Sequence, residues 1–150
     1  MTAHAPQDPA YDARVRASFE RQRFMQTIGA RLLRVAPGEV DVELPVREEL
    51  AQQHGFLHAG ALATVADSAC GYAALSLMPA GAAVLSVEFK INLLAPAAGD
   101  RVVARGRVIR AGKAVTVCWG EVTAYGGANE KLVATMVATM MTVRDRGLSD

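Results

Sequence analysis

Between His58 and Glu88 the chain carries a single charged residue, Asp67. Residues 58–77 read as one long helix that stops before Pro79-Ala80-Gly81. A helix that is apolar almost all round is a core element and must be covered on most sides. An ionised carboxylate inside such a helix is costly unless it is paired, hydrogen-bonded or put to use. The helix therefore demands a layer able to surround it, and Asp67 demands a reason.

Helical geometry sharpens both demands. At about 100° per residue, Gly60, Ala63, Thr64, Cys70, Gly71 and Ala74 fall within about 60° of Asp67 around the axis. Every one is small. Leu62, Val65, Ala69 and Tyr72 lie on the other side and suit packing on a sheet. The small face lets a second backbone or an elongated ligand come close. His58 lies nine residues before Asp67, on the opposite side of an ideal helix and about 13 Å away along the axis. One chain cannot bring the two together. If both serve one site, a second copy of the chain supplies one of them, and a two-fold dimer then has two equivalent sites.

The rest of the chain supplies the covering layer. Asp12 to Met25 reads as an N-terminal helix with Val15, Phe19 and Met25 available to dock. Ile28 to Ala36 is a strand, followed by a Pro37-Gly38 turn. Val40, Val42 and Leu44 alternate with Asp41 and Glu43, and Pro45 ends that strand. A polar connection runs from Arg47 to Gly55. After the central helix, Leu85, Val87, Phe89 and Ile91 alternate with Ser86, Glu88, Lys90 and Asn92. Three further strands follow, Val102 to Ile109, Ala114 to Ala124 and Leu132 to Val143. Ala111-Gly112 and Gly126-Gly127 provide the turns. The expectation is an α+β domain with an antiparallel sheet of about six strands curled around one long helix. Residues 11–145 form the domain, with tails at 1–10 and 146–150.

Composition excludes several classes. Sixteen Lys and Arg against fifteen Asp and Glu leave a formal net charge of +1, and aromatics are 5%. Neither charge nor stacking surface supports a nucleic-acid or anionic-membrane binder. The uncharged run from Ser68 to Val87 is broken by Pro79 and Gly81, so no membrane span is expected. Residues 1–11 contain Asp8 and lack the apolar core of a secretory signal. Cys70 and Cys118 without a CxxC fit a reducing compartment, and the cytoplasm is the expected location. Nothing marks Cys70 as a nucleophile. Cys118 and Trp119 read as packing, and Met136, Met140 and Met141 as core or interface filler or as the lining of an acyl pocket.

The segment from His54 to Gly60 enters the helix, where free backbone N–H groups and the positive end of the dipole lie. Such a terminus polarises a carbonyl oxygen or binds an anion. Gly55 and Gly60 permit close approach. Here the residues resemble a family. Gly55-Phe56-Leu57-His58-Ala59-Gly60 running to Asp67, with Ser86 to Pro96 and Gly99-Asp100, is similar to the signature of PaaI-like hotdog-fold acyl-CoA thioesterases. The resemblance spans about residues 25–143. It implies a hotdog fold, with protomers paired into a larger sheet and dimers joined into tetramers. It implies that Asp67 of one chain acts as general base or nucleophile. The Ala59 N–H of the other chain polarises the thioester carbonyl, with His58 fixing that turn. Ser86 matches a hydroxyl that assists water. The turn holding Arg110, Gly112 and Lys113 lies near the CoA nucleotide, where its cations meet phosphates. Two positions depart from the pattern: Ala59 replaces a glycine, and Gln52 stands where relatives carry Asn.

A thioester is already activated, so hydrolysis needs an aligned water, a base and oxyanion stabilisation. It needs no metal or redox cofactor. Desolvation is expected to raise the Asp67 pKa. The bland alternative for Asp67 is a structural carboxylate satisfied by Thr64 or Ser68. For the chain, the rival readings are a non-catalytic module that binds acyl-CoA or acyl-carrier thioesters, and an enoyl-CoA hydratase. His54 reads as a loop residue.

Overall fold

The computed structural model describes residues 4–144, 146–148 and 150. The central helix runs from Ala59 to Leu75 (α3), with His58 as its N-cap. Among the described residues six strands surround it: β1 Arg31–Ala36, β2 Glu39–Pro45, β3 Ala83–Leu93, β4 Arg101–Ala111, β5 Val115–Gly126 and β6 Asn129–Val143. They form one sheet in the order β1-β2-β4-β5-β6-β3, and each neighbouring pair is antiparallel. The helix packs on β2, β3, β4, β5 and β6. This is the wrapped α+β layout expected from the apolar helix. No helix among the described residues is long and apolar enough to cross a membrane.

Alternation places the core as read. Val40, Val42 and Leu44 are fully buried against the helix. Asp41 and Glu43 face the other way, and bridge to Arg107 and Arg101. Under the helix the sheet offers glycines. Gly106 of β4 pairs with Gly120 of β5. A Cβ at Gly106 would sit 2.6 Å from Cys70 N, and closer still to the Ala69 carbonyl. At Gly120 it would sit 3.0 Å from Cys70 Sγ. The helix backbone therefore rests directly on the sheet. Cys70 and Cys118 are both buried and unbridged. Burial pushes both thiols up, Cys118 to about 12, so neither forms a thiolate at neutral pH.

Three expectations change. The N-terminal helix is two, α1 Tyr11–Arg21 and α2 Arg23–Ile28, separated at Gln22, whose ψ of 97° is extended. The first strand begins at Arg31, because Ile28 closes α2 and Gly29 (φ 78°) turns the chain out of it. The simple alternation of β3 also fails. A bulge lies between Ser86 and Glu88. Ser86, Phe89 and Ile91 pair with buried Met140, Ala138 and Met136, so all three share the inner face. An unbroken two-residue period would put Ser86 on the opposite face from Phe89 and Ile91. The bulge reverses that phase, which is how bulges re-aim side chains.

The first helix is clamped to the end of α3. The Arg14 guanidinium donates to the carbonyls of Leu75, Met78 and Pro79 at 2.7–2.9 Å, and it pairs with Asp8. A cation at the helix C-terminus satisfies orphan carbonyls and the negative end of the dipole.

Candidate active site

Asp67 is half-buried on α3, and Ser86 Oγ donates to its Oδ1 at 2.7 Å. Met140 Sδ lies 3.4 Å from the same hydroxyl. Desolvation raises the Asp67 pKa above the ordinary 3.8, and the Ser86 hydrogen bond works against that rise. The local alternative is not realised with Thr64, whose hydroxyl donates to Gly60 O at 2.8 Å instead. Asp67 opens into a groove of about 390 Å³, with Ala63, Thr64, Ser68, Ser86 and Phe89 beside it. That volume suits a small ligand.

The small face of the helix divides in two. Gly60, Ala63 and Thr64 border open space, whereas Cys70, Gly71 and Ala74 are buried. Smallness serves access near Asp67 and sheet packing one turn on.

At the other end, His58 Nδ1 accepts from the Gly60 N–H at 2.9 Å. An Nδ1 acceptor leaves Nε2 as the hydrogen-bearing nitrogen of the neutral ring. Ala59 is exposed and opens the helix as an ordinary helical residue, so its methyl needs no special backbone. Among the described residues no acceptor meets the Ala59 N–H. Gln52 lies nearby. Its Oε1 accepts from the His54 N–H, and its carbonyl accepts from Gly55 N, which has φ 84°. Gln52 and Ala59 line a second groove of about 370 Å³, with Phe56, Leu93, Leu94 and Pro96.

Within one chain these two grooves share no lining residue. The structure brings Asp67, Ser86 and Thr64 together, and separately gathers His58, Ala59, Gly60, Gly55 and Gln52. Arg110, Gly112 and Lys113 line neither groove. Arg110 lies near the end of β4, paired with Val117, and Gly112 and Lys113 form the β4–β5 turn, closed by Gly112 N donating to Val115 O at 2.9 Å. Lys113 borders a third hollow with Leu85, Met141 and Arg144.

Sequence reasoning missed Gln22, Phe24 and Tyr72, which wall the Asp67 groove. Tyr72 sits on the face read as packing, and Gln22 sits inside what reads as one helix. The exposure of Phe24 shows only in the fold, and nothing in the sequence marks any of the three.

Similar proteins share this fold. The sequence profile described as the thioesterase superfamily matches residues 54–131. Human acyl-coenzyme A thioesterase 13 is 32% identical over 122 residues, covering 80% of this chain and 85% of that protein. The crystal structure of a thioesterase family protein from Silicibacter pomeroyi is 49% identical, with a TM-score of 0.88 over 89% of this chain and 98% of its own. The E. coli PaaI protein, from the phenylacetic acid degradation operon, shares the fold with a TM-score of 0.81 at 24% identity. The match covers 91% of this chain and 96% of that one. A profile that matches just over half the sequence and a relative aligned across four-fifths of it lead to one conclusion: the chain belongs to the thioesterase superfamily and is a thioester hydrolase.

Proposed function

We propose that the protein hydrolyses acyl-CoA thioesters at sites shared by two copies of the chain. The observation that carries this reading is the Asp67–Ser86 pair in one groove and the free Ala59 N–H in another. Neither groove holds a base and an oxyanion donor together. A second copy would bring its Ala59 end to the first copy's Asp67. The free edge of β3 supports such pairing. It exposes Leu85, Val87, Phe89 and Leu93, an apolar edge that a solitary chain would leave open to association. Dimers would then join through the outer sheet face, where Ile109, Val137 and Met141 are exposed.

In this reading Asp67 takes a proton from water as the water oxygen attacks the thioester carbon. The helix-end N–H of the other copy stabilises the oxyanion, with His58 holding the turn. Collapse breaks the C–S bond. The CoA sulfur takes up the proton, and a free carboxylic acid leaves. Ser86 orients the carboxylate and its water. The raised Asp67 pKa makes it a better base. Gln52 and Gly55 shape the entrance, and Arg110 and Lys113 at the β4–β5 turn meet the nucleotide phosphates. Residues 11–145, of which residue 145 lies outside the described residues, act as one domain, and two free buried thiols fit the cytoplasm.

Thiol release from a panel of acyl-CoA esters tests the activity: wild type releases CoA and Asp67→Asn does not. Mixing tests the shared site. An Asp67→Asn chain and a chain inactivated by His58→Ala regain activity as a heterodimer. Proven subunit exchange without recovery refutes the two-chain site.

A further inference from the structure

β3 ends the sheet, and among the described residues only its β6 side is paired. The backbone of its open side can be read residue by residue. Leu94 N donates to Val133 O at 2.8 Å, so by alternation the N–H groups of Glu88, Lys90 and Asn92 also point toward β6. Those of Phe89, Ile91 and Leu93 point out of the sheet. Before the bulge the parity is reversed. Val84 N points outward and donates to the Asp150 carboxylate at 2.8 Å. One additional residue between Ser86 and Glu88 accounts for the reversal. From Glu88 onward the strand is a regular edge, with a free N–H and C=O at every second residue.

A second copy of this strand, related by a two-fold axis, runs antiparallel to the first. Each residue then faces the one equally far on the other side of the axis. Glu88 and Lys90 choose where the axis sits. Both are exposed on the outer face, opposite Thr139 and Val137 of β6. Among the described residues neither has an ion-pair partner: Glu88 accepts from Thr139, and Lys90 donates to Asn92. An axis at Glu88 sets two glutamates face to face, and an axis at Lys90 two lysines, and like charges directly opposite are destabilising. An axis at Ile91 sets Lys90 against Asn92 and Glu88 against Leu94. An axis at Phe89 sets Glu88 of each copy against Lys90 of the other. Because the N–H groups of both residues point to β6, these become non-hydrogen-bonded pairs across the new seam. That is the closer kind, with Cα atoms about 4.5 Å apart. On the inner face Phe89, 43% exposed in the single chain, meets its own copy, and the pairing of two rings adds to the attraction.

We propose that two copies join β3 to β3 in the register centred on Phe89, and that reciprocal Glu88–Lys90 pairs lock that register. This rests on the reading of the site as shared by two copies, and adds which residues select the partner. The same two charges that attract in this register repel in the neighbouring ones, so a slipped pairing is penalised as well as the right one favoured.

Cross-linking with oxidised glutathione tests the register. Cys70 and Cys118 are buried and stay silent. A mixture of Glu88→Cys and Lys90→Cys chains is expected to give about tenfold more disulfide-linked dimer than either variant alone, because only the mixed pair brings the two Cβ atoms within reach. Either variant alone cross-linking as well as the mixture marks a different register and overturns this one. Charge exchange tests the lock. Glu88→Lys and Lys90→Glu should each weaken self-association about tenfold in Kd, read by sedimentation, and the double exchange should restore it to within about threefold. A mixture of the two single variants should form the hetero-pair in preference to either homo-pair. Single variants with the wild-type Kd overturn the lock. A wild type that sediments as a monomer at every concentration overturns the register and the two-copy site together. A wild-type dimer that fails both arms removes the register and leaves the two-copy site standing.

Discussion

The two ends of α3 are made of similar residues and do different work. From Ala69 to Leu75 every side chain is buried, and the helix backbone presses onto Gly106 and Gly120. From Ala59 to Asp67 the same small residues border open grooves, interrupted by the buried Leu62, Val65 and Ala66. One end removes bulk so that a sheet can approach. The other removes bulk so that a ligand can. The difference teaches that small side chains report close approach without naming what approaches.

Substitutions should separate the two ends cleanly. Asp67→Asn is expected to lower kcat about a thousandfold, or about 4 kcal/mol in barrier, with the fold intact. Steady-state thiol release beside a urea melt checks both halves of that statement. Gly106→Ala should do the reverse. It forces a methyl into the Ala69–Cys70 backbone and costs about 3 kcal/mol of stability, read from the shift of the urea midpoint. Unchanged stability there would dissolve the contrast between the ends.

Smaller effects sharpen it. Ser86→Ala should lower kcat/KM about tenfold. It should also move the acid limb of the pH profile upward, because the Ser86 hydrogen bond holds the Asp67 pKa down. A limb that moves to lower pH would contradict the pairing. Besides inactivating the chain, His58→Ala removes the acceptor of the Gly60 N–H and should cost about 1 kcal/mol of stability in thermal melts, a capping loss at the open end.

The smallest effect is in stability against pH. The Asp67 pKa is raised by folding, so the folded chain holds its proton more tightly than the unfolded one. The stabilisation is complete below the ordinary carboxylate value. It is lost as pH rises through the raised folded value. Melts of wild type across that window should fall relative to Asp67→Asn, and parallel curves would show that Asp67 carries no burial penalty.

Much of this was legible in order along the chain. The lone Asp67 in an apolar helix and the alternation of Val40, Val42 and Leu44 define the wrapped layout without any tertiary knowledge. The nine-residue separation of His58 and Asp67 already forbids their meeting within one chain. What stayed hidden depends on tertiary contact. Gln22 leaves the helix without a breaker residue, for the sake of a tyrosine fifty positions away. Ser86 reaches Asp67 only because β3 carries a bulge, and nothing in an apparently regular alternation announces the additional residue. The glycines under α3 looked like ordinary strand positions until the helix lay on them.

That bulge has a consequence for how the sequence can vary. Residues on either side of Val87 belong to two different phases of the same strand. Exchanging Val87 for another side chain leaves both phases intact. Deleting it would leave one unbroken phase with Ser86, Phe89 and Ile91 still on the same side of the sheet, whereas straightening the strand with the residue kept would send either the serine or the two apolar anchors to the other side.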